Sequence, residues 1–131
     1  MIIDASAIIA ILRDEPEAAA FANAIESAGK RRMSAVNFLE AAIIIEGSRD
    51  PVARRKFDDF VAKAGIAIEP VTQTHVRIAR EAYRDYGTGS GHPAGLNLGD
   101  CFAYALARAT GSRLLFKGND FTHTDIRPAV E

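Results

Sequence analysis

Met1-Ile2-Ile3-Asp4, followed directly by Ala5-Ser6-Ala7-Ile8-Ile9-Ala10-Ile11-Leu12, sets an apolar run, an acid and a helix-like stretch end to end. Ile2 and Ile3 have the character of a short strand buried on both faces, as parallel strands are. Asp4 closes that run, and the following residues read as a tight turn into a helix with Ser6 as its N-cap. A carboxylate at the carboxyl end of a buried strand, facing a helix N-terminus, stands where open α/β sheets place their binding crevice. The plainer reading is that Asp4 merely caps the helix. Whether other acids reach the same place decides between them.

The chain has 131 residues, 48% hydrophobic and 25% charged, the size and composition of one globular domain with a real core. Its single cysteine, Cys101, excludes an internal disulfide framework and fits a reducing compartment. No apolar run approaches the roughly 20 residues of a membrane span. Met1 to Asp4 lacks the basic start of a signal peptide, so a cytoplasmic protein is expected. The formal net charge of −1 excludes a histone-like polycation but not a nucleic-acid partner, since local fields steer ligands.

Onward from the first helix, strand and helix signals alternate. Asp14-Glu15-Pro16 starts a helix through Phe21 and Ile25 that Gly29 stops. Lys30 to Met33 brings in a short strand, and Ser34 opens a helix through Leu39 and Ile43 towards Gly47. Asp50-Pro51 starts the next helix, and Ile66 to Val71 reads as a strand closed by proline. Thr74 caps a helix that ends before a loop of small residues from Gly87 to Gly95. A strong helix from Leu96 to Ala107 follows, then the apolar run Arg113-Leu114-Leu115-Phe116-Lys117, and Asp125 to Pro128 offers a last edge strand. The expected fold is α/β: one domain over residues 1–131, with a short parallel sheet flanked by helices on both faces.

Three further acids are candidates for the crevice. Glu40 has Val36, Ile43 and Ile44 as its helical neighbours, an apolar setting in which an unpaired charge is costly. Asp100 lies in the first turn of its helix behind Asn97, a position that also suits plain capping. Asp120 follows Leu114-Leu115-Phe116 and, like Asp4, stands past the end of a strand. Two charges about 4 Å apart repel by roughly 4 kcal/mol at an effective dielectric near 20, so such a cluster requires a cation. Hard divalent ions with oxygen ligands suit it, and they activate water against phosphodiesters.

These residues carry a resemblance. Asp4 in Met-Ile-Ile-Asp-Ala-Ser-Ala, Glu40 in Asn-Phe-Leu-Glu-Ala, Asp100 in Leu-Asn-Leu-Gly-Asp-Cys-Phe-Ala-Tyr-Ala and Asp120 in Phe-Lys-Gly-Asn-Asp-Phe resemble the acidic motifs of PIN domains. The likeness is to the VapC toxins of toxin–antitoxin pairs, and it extends over the whole chain. It implies an endoribonuclease dependent on Mg²⁺ or Mn²⁺, inhibited by a small VapB antitoxin and commonly dimeric. It implies that Asp4, Glu40, Asp100 and Asp120 hold the metal and that Ser6 orders the first acid. Asn119 and Asp125 lie close to Asp120, and either could share its role. Lys117, beside Asp120, is the candidate for touching RNA.

Other signals weigh less. Gly89-Ser90-Gly91-His92-Pro93-Ala94 matches a dinucleotide fingerprint formally, but it follows a helix and contains proline, so it reads as a mobile loop. Lys30-Arg31-Arg32 could hold a phosphate backbone, whereas Arg54-Arg55-Lys56 reads as a solvated helix face. His75, His92 and His123 lack ligand spacing, and Cys101 has no evident base. The rivals are a phosphorylation receiver domain, whose central strand would here be Ile66 to Ile68 with the unsuitable ending Glu69-Pro70, and a non-catalytic binding domain.

Overall fold

A computed structural model describes residues 1–130. Strands β1 (Ile2–Ile3), β2 (Arg32–Ser34), β3 (Ala67–Glu69) and β4 (Leu114–Leu115) form one sheet in the order β3-β2-β1-β4, every pair parallel. Helices α1 (Ala5–Leu12), α2 (Ala18–Ser27), α3 (Ala35–Gly47), α4 (Pro51–Lys63), α5 (Gln73–Tyr86) and α6 (Leu98–Thr110) cover it.

Alternation along two-residue strands explains how so small a sheet supports two layers. Ile3 and Leu115 turn to one side and pack with Ile8 of α1, Phe21 and Ile25 of α2, Ile45 of α3 and Phe57 of α4. Ile2 and Leu114 turn to the other, against Ala79 and Ala82 of α5 and the buried stripe from Cys101 to Ala107 of α6. All four strand residues are 0% exposed. β1, with Asp4 at its carboxyl end, is therefore an inner strand of the sheet.

Several boundaries differ from expectation. Asp4, not Ser6, is the N-cap of α1, because its carboxylate accepts the Ser6 amide. Thr72, not Thr74, caps α5, in a reciprocal pair with His75 that a Thr-to-Glu capping signal would not reveal. Pro16 precedes α2 instead of lying within its first turn. β3 is an exposed edge strand, so Ile66 to Ile68 is not the sheet's centre. The segment at Asp125 to Pro128 contributes one bridge, Leu114 to Pro128, and no strand. The glycine loop is pinned at both ends by a Gly87–Leu96 bridge, with Leu96 buried and His92 set edge-on against Tyr86.

Candidate active site

Asp4 leaves β1 with its carboxylate 6% exposed. Oδ2 accepts two bonds from Ser6, from the amide at 3.1 Å and the hydroxyl at 2.6 Å. The same hydroxyl accepts the Lys117 amide at 3.0 Å, which ties the exit of β4 to the exit of β1. Burial raises the Asp4 carboxyl to about 6; the Ser6 bonds oppose the rise and the Glu40 charge adds to it.

Glu40 is brought in by α3. Asn37, one turn earlier and 0% exposed, donates from Nδ2 to Glu40 Oε1 at 2.9 Å and to the Gly99 carbonyl at 2.9 Å. A Cβ added at Gly99 would fall on the Glu40 carboxylate, so bare backbone is what lets the acid lie against α6. Burial raises the Glu40 carboxyl, against the Asn37 bond, and the Asp100 charge adds to the rise. The apolar neighbours expected to bury Glu40 do not: Ile43 is 60% and Ile44 42% exposed, and the buried face of α3 is Asn37, Ala41 and Ile45.

Asp100 follows Gly99 in the first turn of α6 and forms a capping box with Asn97, accepting its amide on Oδ2 at 3.0 Å. Burial again raises its carboxyl to about 6, with the charges of Asp4 and Asp120 on the same side of the balance. Asp120 and Asn119 are exposed at the start of the 3-10 turn Asp120–His123 that follows β4. Asp125 is committed elsewhere: its carboxylate accepts the Tyr104 hydroxyl at 2.7 Å and pairs with Arg108. The Lys117 ammonium turns to Glu15 at 2.8 Å and Glu17 at 3.3 Å, so it is already paired. Burial and the Asp100 charge push the Cys101 thiol up to about 11.

Asp4, Glu40, Asp100 and Asp120 thus come from four separate segments and form a chain of mutually felt charges. Among the described residues, no Lys, Arg or His forms an ion pair with any of them. No three of them converge tightly on one cation position, and Asp4 and Asp100 each bond to the start of their own helix. Hydrogen bonds occupy one oxygen of Asp4, Glu40 and Asp100, namely Oδ2, Oε1 and Oδ2. An all-oxygen donor set fits a hard divalent cation by its chemistry. Asn37, Gly99 and the Lys117 amide are the parts that the sequence reading passed over. Only Asn37 left a trace there, three residues before Glu40 on the same helix face.

Comparison with known proteins identifies the family. A PIN-domain family model matches residues 1–127. Ribonuclease VapC28 of Mycobacterium tuberculosis is 53% identical over 131 residues, covering 100% of this chain and 98% of its own. Ribonuclease VapC42 of the same species is 50% identical over 129 residues, covering 98% of each. Among solved structures, a toxin-antitoxin complex from Klebsiella pneumoniae superposes with a TM-score of 0.72 at 15% identity over 99% of this chain and 98% of that one. Mycobacterium tuberculosis VapC20, a sarcin-ricin loop cleaving toxin, gives 0.69 at 15% identity over 97% and 98%. Those two likenesses concern the fold; the family rests on the model and on the close relatives, and by them the chain belongs to the PIN-domain family, among the VapC ribonucleases.

Proposed function

We propose that the protein is a metal-dependent endoribonuclease acting as the toxin of a toxin–antitoxin pair, with Asp4, Glu40, Asp100 and Asp120 holding Mg²⁺ or Mn²⁺. The observation that carries this is the gathering of partly buried acids at the carboxyl end of β1, with no basic side chain to neutralise them. The chemistry supplied when a divalent ion is bound is activation of water and neutralisation of charge on the phosphate. The chain's own part is to hold the acids ready. Ser6 fixes the Asp4 carboxylate through two bonds to Oδ2. Asn97 fixes Asp100 through the capping box, and burial of Asp4 keeps bulk water from screening it. Asp120, exposed at the rim, and its neighbour Asn119 face arriving substrate from the β4 side.

The same reading extends to partners and setting: RNA as substrate, a small VapB-like antitoxin, a second copy of the chain, and the cytoplasm. The 53% identity to a named VapC ribonuclease supports it, and no described helix is long and apolar enough to cross a membrane. An antitoxin would block the acids best with a cation, most effectively an arginine forked onto carboxylates. The test is cleavage of single-stranded or looped RNA by purified, antitoxin-free protein. Cleavage with Mn²⁺ or Mg²⁺ that stops in EDTA is the expected result; cleavage persisting in excess chelator overturns the metal reading, and none under any condition overturns the nuclease.

A further inference from the structure

Asn37 is placed as a core residue yet spends its polarity at the site. The residue is fully buried, one Nδ2 bond runs to Glu40 three residues on in the same helix, the other crosses to Gly99 of α6, and Oδ1 has no partner. An unsatisfied buried acceptor is a cost that an apolar residue would avoid. Against that cost stand its two donor bonds. One bond turns the Glu40 carboxylate inward; the other fastens α3 to the residue immediately before Asp100. Gly99 completes the arrangement from the opposite side, since a Cβ there would displace that same carboxylate. Glycine inside a helix is disfavoured relative to alanine, so its place in the first turn of α6 has a steric reason.

We propose that Asn37, with Gly99 as its counterpart, is the positioning residue of the site. It holds the Glu40 carboxylate towards Asp4 and Asp100 against their like charge and sets the spacing between α3 and α6. Resting on the metal-dependent reading above, this makes Asn37 act on divalent-ion affinity only through Glu40. A merely structural asparagine would change stability and leave that affinity alone.

The experiment is calorimetric titration of Mn²⁺ into the full chain, free of any partner protein, for wild type, Asn37→Ala, Glu40→Gln and the double variant, with melting in EDTA as the check of folding. Asn37→Ala is expected to weaken Mn²⁺ binding by about 10–100-fold, the range for residues that orient metal ligands, and Glu40→Gln, which removes a ligand charge, by at least as much. The double variant is expected to bind no more weakly than Glu40→Gln alone, because coupled residues are not additive. Wild-type affinity in Asn37→Ala, or a loss that adds in full to that of Glu40→Gln, overturns the positioning role alone. A wild type that binds no Mn²⁺ overturns the metal reading itself. If Asn37→Ala does not fold, Gly99→Ala carries the test, since it pushes Glu40 from the other side; undiminished Mn²⁺ affinity there overturns the proposal.

Discussion

The Ser6 hydroxyl donates to Asp4 Oδ2 at 2.6 Å while accepting the Lys117 amide at 3.0 Å, so one side chain joins the ends of the two adjacent strands β1 and β4. Ser6→Ala removes both bonds together. Hydrogen bonds to charged groups contribute about 1.5–3 kcal/mol, so a loss of stability in that range is expected by denaturant melting. The Ser6 hydroxyl bond also lowers the Asp4 carboxyl, and without it that carboxyl should rise further. Ser6→Thr keeps the hydroxyl and should keep most of the stability. Equal melting of Ser6→Ala and wild type would mean that the link between the strands is carried by the backbone alone.

Charge removal separates the acids from one another. Asn caps a helix about as well as Asp, so Asp4→Asn retains the α1 cap while removing a buried charge. It should melt above wild type in EDTA and lose cleavage. Asp100→Asn should gain less, because its charge also favours the α6 N-terminus by about 0.3–1 kcal/mol. Asp120→Asn, at an exposed position, should stay within about 0.5 kcal/mol of wild type and still lose cleavage. An Asp4→Asn variant that melts below wild type in EDTA would make Asp4 a structural cap and no more.

Two of the candidate acids carry a local mark in the sequence: Asp4 ends an apolar run and Asp100 sits behind an N-cap. The apolar setting expected for Glu40 is not the one the fold gives it. α3 is apolar nearly all round, so its periodicity cannot choose a face, and the isoleucines expected to bury Glu40 are in solvent. What places Glu40 is the Asn37–Gly99 bond, which spans 62 positions and has no signature in either segment. Lys117 is less free than its place in the sequence suggests, since Glu15 and Glu17 arrive from the far end of the chain to pair with its ammonium. The parallel sheet was legible from strand–helix alternation, while its order was not, since strands of two or three residues carry too little pattern to rank centre against edge.

Acidity should act oppositely on the metal-free and metal-loaded protein. The Asp4 and Asp100 carboxyls are raised to about 6, and that of Glu40 is raised too, above unfolded values near 4. Between about pH 4 and 6 the folded chain therefore holds more protons than the unfolded one, and stability falls as pH rises. In EDTA the contribution of these groups is a destabilisation, absent below about pH 4 and complete above about 6. Divalent ions need the ionised carboxylates, so stabilisation by Mn²⁺ should appear only as pH rises through about 6. Melting curves across this range, with EDTA and with Mn²⁺, check both slopes; parallel slopes would detach the acids from metal binding.

Arg31 was a candidate for holding phosphate, and its guanidinium is instead spent on the fold. It donates to the carbonyls of Ala28 at 3.1 Å, Glu26 at 2.9 Å and Ala64 at 2.8 Å. Those carbonyls belong to the last turn and C-cap of α2 and the C-cap of α4, helix ends where a cation is favourable. Lysine carries the same charge but lacks the planar fork that reaches three acceptors at once. Arg31→Lys should therefore cost about 1–3 kcal/mol in denaturant melting while leaving RNA affinity and its salt dependence unchanged. Loss of a phosphate contact would instead weaken RNA binding and flatten that salt dependence with stability untouched. That outcome would return Arg31 to the nucleic-acid surface.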